Sequence, residues 1–77
     1  MIEEHASVVL TEPLPAAGLE AGDVGVAVHV HGNAAAFEVE FMTLDGNTMT
    51  IETLTAGQIR AARSRDIPHV RERIVSA

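Results

Sequence analysis

Alternating apolar and polar positions dominate the middle of the chain, between residues 22 and 54. Valine occupies every second position from 24 to 30, and apolar and acidic residues alternate from 37 to 41. Alternation with a period of two predicts strands with one face buried and the other in water, and valine and phenylalanine favour strands. We therefore expect the valines and phenylalanines to point inward and Glu38 and Glu40 to form an acidic outer face.

Two short polar segments divide this region into three strands. Residues 31–34 (HGNA) and 45–47 (DGN) contain glycine and asparagine, which adopt positive φ readily. The Asp-Gly pair between two apolar runs is a strong hairpin signal. In the third strand, Met49 and Ile51 are predicted to point inward, with Glu52 and the neighbouring threonines on the other side.

The flanking segments complete an all-β pattern. Residues 5–10 (HASVVL) predict a first strand, with Val8 and Leu10 inward. Residues 11–22 contain two prolines and two glycines and predict an ordered loop. Residues 55–59 predict one 3₁₀ turn before a last strand. This layout is typical of a small five-stranded SH3-like barrel.

The C-terminal region divides the chain into a barrel body, residues 1–59, and a basic extension, residues 60–77. We favour a short closing strand at 69–71 (HVR) within that extension. The alternative is a helix with three apolar residues on one face, Ile67, Val70 and Ile74.

The length of 77 residues predicts a single domain. A domain of this size has a small core and often depends on a disulfide, a metal or an oligomer. The chain has no cysteine, which excludes disulfides and thiolate zinc sites. The small core and the apolar content of 47% favour a homodimer. No apolar run reaches the ~20 residues of a membrane span. The acidic start, Met1–Glu4, argues against a secretory signal, and we expect a cytoplasmic protein.

Charge is distributed unevenly along the chain. Before Gln58 there are nine acidic residues and no lysine or arginine, whereas five arginines and two acids follow. Nucleic-acid affinity rests on lysine and arginine, and the chain has no tyrosine or tryptophan on which bases could stack. The acidic body therefore makes nucleic acid an unlikely partner and favours a basic protein.

Several motifs in order resemble the family of small bacterial proteins called DUF4926, a domain of unknown function. They include VVLT at 8–11, GDVG at 22–25, FEVEF at 37–41 and DG at 45–46. HVR at 69–71 resembles a common family ending, and phenylalanine begins FEVEF where tyrosine is frequent. The resemblance implies an SH3-like barrel. Members tend to be encoded beside another small reading frame, which implies a two-gene arrangement such as a toxin with its antitoxin.

Two histidines offer a candidate metal site. His29 and His31 share a strand face, and a turn at Gly32 and Asn33 would place Glu38 opposite His29. Two imidazoles and a carboxylate can bind zinc or nickel. The alternative, which we favour, is a polar surface row in which a His–Glu pair contributes about 0.2–1 kcal/mol. A third histidine, from the first strand or the tail, would be needed.

Other candidate chemistry is weaker. The GDVG corner at 22–25 partly resembles the turn of KOW-type RNA-binding modules, but its two glycines also suit a turn and a bulge. Glu38 and Glu40 would need a pocket to act as an acid–base pair, and a small barrel is filled by side chains. No serine lies in a nucleophile elbow. We therefore expect neither enzymatic activity nor a cofactor.

The predicted function is a non-enzymatic protein-interaction module, with an antitoxin-like neutralising role as its specific form. The acidic residues Glu38, Glu40 and Glu52 would cover a basic surface of the partner, and Arg63 and Arg71 are candidate contacts on the extension. Two alternatives remain open. One is a nucleic-acid-binding regulator that uses the arginines of the tail, and the other is a metal-binding protein through the two histidines.

Overall fold

The computed structural model describes residues 2–72, which form five antiparallel strands in one sheet. The strands are β1 (Ser7–Leu10), β2 (Val24–His31), β3 (Ala36–Met42), β4 (Thr48–Thr55) and β5 (Ile59–Ala61). Their order across the sheet is β4-β3-β2-β1-β5, with β4 and β5 at the two edges. The all-β class and the predicted meander of β2, β3 and β4 are confirmed.

One face of the sheet, the inner face, encloses the hydrophobic core. Its buried residues come from all five strands and from the β1–β2 loop: Val8, Leu10, Leu19, Ala27, Phe37, Val39, Phe41, Leu54 and Ile59. The loop contains one turn of 3₁₀ helix, Pro15–Ala17. Leu14 and Leu19 pair with each other in an isolated bridge, and both pack onto the core. The loop therefore closes the inner face.

Strand β2 changes the face that it buries halfway along its length. Gly25 and Ala27 are buried, whereas Val24 is 45% exposed. A bulge at Val28 then shifts the pairing with β3 by one residue, and Val30 packs against the core. The prediction that all four valines point inward is wrong, because an extra residue in a strand reverses the alternation beyond it.

Strand β4 carries a second irregularity. The pairing with β3 shifts after Phe41 and leaves Met49 without a directly opposed residue. Met49 packs half-buried against the core, as predicted. Ile51, in contrast, lies opposite Glu40 and is 55% exposed, so its predicted inward position is wrong. The core residue of this strand is Leu54, which is 3% exposed.

The chain leaves β4 through a tight turn in which the Gln58 N–H donates to the Thr55 carbonyl at 3.0 Å. The turn lies where it was expected, but the 3₁₀ helix occurs in the β1–β2 loop instead. The last strand within residues 2–72 is β5, which pairs with β1 through Leu10 opposite Ile59. β5 therefore spans the predicted boundary between body and extension.

The closing strand predicted at 69–71 is wrong, and so is the alternative helix over the part of the tail that the structure describes. Residues 62–72 form neither a helix nor a strand. Ile74, which belonged to the helical alternative, lies outside the described residues. Within residues 2–72 no helix has the length and hydrophobicity needed to cross a bilayer.

Candidate interaction surfaces

The outer face of the sheet carries the predicted acidic pair. Glu38 and Glu40 are half-buried on β3 and alternate with the buried residues of that strand. We call this surface the acidic face, and define it by the two glutamates and the side chains around them on β2 and β4: His29, His31, Glu38, Glu40, Thr48, Ile51 and Thr53. The sequence prediction of an acidic outer side to β3 is confirmed.

Glu38 is held by hydrogen bonds from both neighbouring strands. Nε2 of His31 donates to Oε2 of Glu38 at 2.7 Å, and the Thr53 hydroxyl lies 2.9 Å from both carboxylate oxygens. The hydrogen bond from His31, followed by that from Thr53, keeps the pKa of Glu38 below its usual range. Glu38 is therefore firmly ionised at neutral pH, which is the opposite of what a general acid requires.

Glu40 accepts a hydrogen bond from the Thr48 hydroxyl of β4. Beside it in the sheet register are Ile51 of β4 and Val26 of β2. The acidic face is thus not uniformly charged: an exposed isoleucine and a half-buried valine flank the second carboxylate. Mixed apolar and charged surface of this kind is common in protein interfaces.

Glu52 does not belong to this surface. It lies directly opposite Val39, and opposed residues of an antiparallel pair point to the same side of a sheet. Its carboxylate accepts a hydrogen bond of 2.6 Å from Thr50. The prediction that Glu52 shares a face with Glu38 and Glu40 is wrong, because the irregularity at Met49 breaks the alternation from which it was derived.

The histidines predicted as metal ligands lie on the acidic face without a third ligand. His29 pairs with Glu38 in the register, as predicted, and its ring packs edge-on against His31 with centroids 4.6 Å apart. Within residues 2–72 no three histidine or carboxylate side chains are grouped closely enough to hold a metal ion. His69 lies beside Asp23 instead, with Nε2 3.3 Å from Oδ1.

The first arginine of the tail forms an ion pair next to β5. Nη1 and Nη2 of Arg60 donate to the two carboxylate oxygens of Asp66 at 2.9 and 3.0 Å. The Arg63 N–H donates to the same carboxylate at 2.6 Å. These hydrogen bonds, that of Arg60 foremost, lower the pKa of Asp66 to about 2. The side chain of Arg63, a predicted partner contact, is exposed.

Arg71, the other predicted partner contact, binds the protein's own body. Its Nε donates to Oδ1 of Asp23 at 2.9 Å and its Nη2 to Oδ2 at 2.5 Å. The same Nη2 donates to the Gly18 carbonyl at 2.8 Å. Asp23 is 9% exposed, and the Glu20 N–H also donates to it at 2.8 Å. We call Asp23, His69 and Arg71 the Asp23 clamp.

The clamp keeps Asp23 ionised despite its burial. Burial alone raises the pKa of this carboxyl, but the hydrogen bonds from Arg71 and from the Glu20 N–H, with the positive charge of Arg71, outweigh it and lower the pKa. Together with the Arg60–Asp66 pair, the clamp engages two of the arginines on which the nucleic-acid alternative depends.

A cleft of about 360 Å³ lies beside the clamp, between the tail and the β3–β4 hairpin. Five residues of the body supply most of its apolar wall: Leu19, Val24, Phe41, Met42 and Met49. Val70 of the tail also lines it and is 76% exposed. The tail therefore borders this cleft without filling it.

A family model described as Domain of unknown function (DUF4926) matches residues 4–61. The chain belongs to the DUF4926 family. The matched region ends with β5, so it contains the whole sheet, while the tail that carries His69 and Arg71 follows it. Comparison with curated proteins and with solved structures gave no significant match.

Sequence reasoning missed the clamp of this DUF4926 protein, although both halves of it lie in motifs that carried the resemblance. Asp23 belongs to GDVG at 22–25 and Arg71 to HVR at 69–71, and the structure brings the two together. The ring of His69 also lies against Gly22, 3.5 Å from the position that a Cβ would take there. The motifs gave a signal, but nothing in the local pattern joined residues so far apart in the chain.

Proposed function

We propose that this DUF4926 protein is a non-enzymatic protein-interaction module whose acidic face covers a basic surface of a partner protein. The proposal rests on the position of Glu38 and Glu40 and on the absence of an arginine partner for either carboxylate among the described residues. They lie on the same outer side of β3, and their hydrogen bonds come from histidine and threonine. In the described chain, the arginine ion pairs go to other carboxylates, on Asp23, Glu20 and Asp66.

The charge of the body supports a basic partner. No lysine or arginine occurs before Gln58, so the acidic face is surrounded by a surface with no compensating cations from that region. Complementary charge accelerates encounter and selects among partners. Ile51, exposed beside Glu40, adds apolar area that an interface would bury. The acidic charge and the exposed apolar area together favour a basic protein as the partner over a nucleic acid.

We extend the proposal to the neutralising half of a two-gene pair, in which the acidic face would mask a basic functional surface of the partner. Support comes from the charge of the face and from the gene arrangement that the family resemblance implies. A cytoplasmic location belongs to this proposal. Homodimerisation, expected from the small core, stays a prediction.

The experiment is affinity capture from the native host with three tagged forms of the full chain. The first is wild type, and the second is Glu38→Lys/Glu40→Lys. The third, Glu3→Lys/Glu12→Lys, makes the same change in net charge at exposed positions outside the acidic face. Circular dichroism checks that all three fold.

We expect wild type and the control variant to retain the same basic protein and the acidic-face variant to lose it. If all three forms capture the same proteins, the acidic face is not the docking surface. If all three recover nucleic acid in place of a basic protein, the regulator alternative replaces the proposal.

A further inference from the structure

Beyond the Arg60–Asp66 ion pair, the tail of the protein is attached to the body chiefly by one arginine. Residues 62–70 are exposed, with Ile67 at 89% and Val70 at 76%. Arg71 is the point at which the tail becomes half-buried, and it makes three hydrogen bonds to the body. The segment thus lies on the body without helix or strand and is anchored through a guanidinium.

The groups that receive this guanidinium belong to the β1–β2 loop, and hydrogen bonds within that loop also hold Asp23. The Asp23 N–H donates to the Glu20 carbonyl at 3.1 Å, and the Glu20 N–H donates to the Asp23 carboxylate. Gly18, whose carbonyl also accepts from Arg71, sits in the left-handed region with φ 73°. A fixed carboxylate and carbonyl suit the planar fork of arginine and do not suit lysine equally well.

The cleft beside this socket has room for more than the tail provides. Its wall includes the buried side chains of Phe41 and Leu19 and the half-buried Met49. Val70, the residue before the anchoring arginine, also lines the cleft but stays 76% exposed. A larger apolar side chain at that position would bury more surface, at about 25 cal/mol per Å² of apolar area removed from water.

We propose that the Asp23 socket and this cleft form a peptide-binding groove, which the protein's own tail occupies in cis. The occupant in trans is an extended segment of a partner protein that presents an arginine directly after a large apolar residue. This groove is separate from the acidic face, so it stands or falls independently of the proposed function. A short tether gives the tail an effective concentration of about millimolar, so the tail competes with any such segment.

The test uses the full chain labelled with ¹⁵N and synthetic seven-residue peptides, titrated by NMR. The reference peptide, DIPHVRE, has the sequence of residues 66–72. We expect Arg71→Gln protein to bind it about tenfold more tightly than wild type, because the competing cis tail is weakened. Arg71→Lys protein should behave like Arg71→Gln, since lysine lacks the fork. A peptide with leucine at the Val70 position should bind more tightly than the reference.

Two controls locate the binding. A peptide with glutamine at the Arg71 position should lose about tenfold or more in affinity. Asp23→Asn, introduced into the Arg71→Gln protein, should cause a similar loss of peptide affinity. The asparagine side chain can still accept the hydrogen bond from the Glu20 N–H, so the loop should keep its conformation. Glu38→Gln/Glu40→Gln should leave peptide affinity unchanged, which separates the groove from the acidic face.

The proposal is overturned if the reference peptide does not bind Arg71→Gln protein, or binds it no better than wild type. Equal binding of the arginine and glutamine peptides would overturn it as well. Dimerisation of wild type that Arg71→Gln abolishes would show that the occupant in trans is the tail of a second copy and would overturn the assignment to a partner protein.

Discussion

Replacement of Gly25 by alanine should destabilise the protein strongly, because the position has no room for a side chain. A Cβ at Gly25 would lie 2.7 Å from Cγ1 of Val39, 2.9 Å from the carbonyl oxygen of Glu40 and 3.0 Å from Cδ1 of Phe41. Val39 and Phe41 are core residues, exposed by 0% and 3%, and the carbonyl belongs to the neighbouring strand. Relief of the clash therefore requires β2 and β3 to move apart.

The size of the effect follows from the contacts. Overpacking of a core costs about 1–3 kcal/mol, and the involvement of a strand carbonyl places Gly25→Ala in the upper part of that range. A domain of this length has a total unfolding free energy of about 4–12 kcal/mol. With a urea m-value of about 1 kcal/mol per molar, the unfolding midpoint should fall by about 2–3 M.

The assay is urea unfolding followed by far-UV circular dichroism, because the chain contains no tryptophan or tyrosine. Gly57→Ala is the matched control. The nearest atom to a Cβ at Gly57 is the Thr55 hydroxyl oxygen at 3.9 Å, so its midpoint should stay within about 0.5 M of wild type. A Gly25→Ala midpoint that matches this control would refute the steric argument.

Three further predictions concern the strands, the tail and a turn. Leu54→Ala should lower the free energy of unfolding by about 2–4 kcal/mol. Ile51→Ala on the same strand should lower it by less than about 1 kcal/mol, because Ile51 is exposed. Urea unfolding midpoints of the two variants measure the difference. Arg60 lowers the pKa of Asp66 to about 2, below the unfolded value of about 3.9. The stability that this ion pair contributes is therefore complete above about pH 4 and is lost as the pH falls towards 2. Asp66→Asn should flatten this part of a curve of unfolding free energy against pH. An unchanged curve would contradict the Arg60–Asp66 ion pair. Gly46→Ala should lower the free energy of unfolding by about 1 kcal/mol, because Gly46 has a φ of 89°, which alanine adopts poorly. A higher melting temperature for this variant would contradict the turn geometry.

The alternation on β3 could be predicted from the sequence because that strand is the middle one of the β2–β3–β4 meander and contains no extra residue. Phe37, Val39 and Phe41 are all buried, and the acidic residues between them face outward, as their spacing indicates. Both partners of β3 are antiparallel neighbours within hairpins, so turn signals and alternation agree about its register. Local pattern was sufficient where two independent signals pointed to the same arrangement.

The faces of β2 and β4 could not be predicted because each strand contains a bulge without a clear local signature. Val28 is one of four regularly spaced valines, and nothing in that run marks it as the extra residue. Met49 likewise fits a simple alternation with Ile51. One additional residue moves every later side chain to the opposite face, which explains why Glu52 was misplaced.

The Asp23 clamp could not be predicted because its residues are far apart in the sequence and meet only in the folded chain. The charge asymmetry allowed the tail to return to the body, and it does so at Arg71. The charge asymmetry did not specify which acidic residue the tail would contact, since nine acidic residues precede Gln58. Asp23 is selected because the loop buries it and provides the Glu20 N–H and the Gly18 carbonyl beside it.

The central claim, that the acidic face is a docking surface for a basic protein, is tested most directly by the salt dependence of affinity for the captured partner. Dissociation constants would be measured by calorimetry at about 50 and 300 mM salt, for wild type and for Glu38→Gln/Glu40→Gln, which retains the shape of the face. We expect wild-type affinity to weaken with salt, because the charges are complementary. The variant should bind at least tenfold more weakly, with little salt dependence. Equal affinities and equal salt dependence for the two proteins would contradict the central claim.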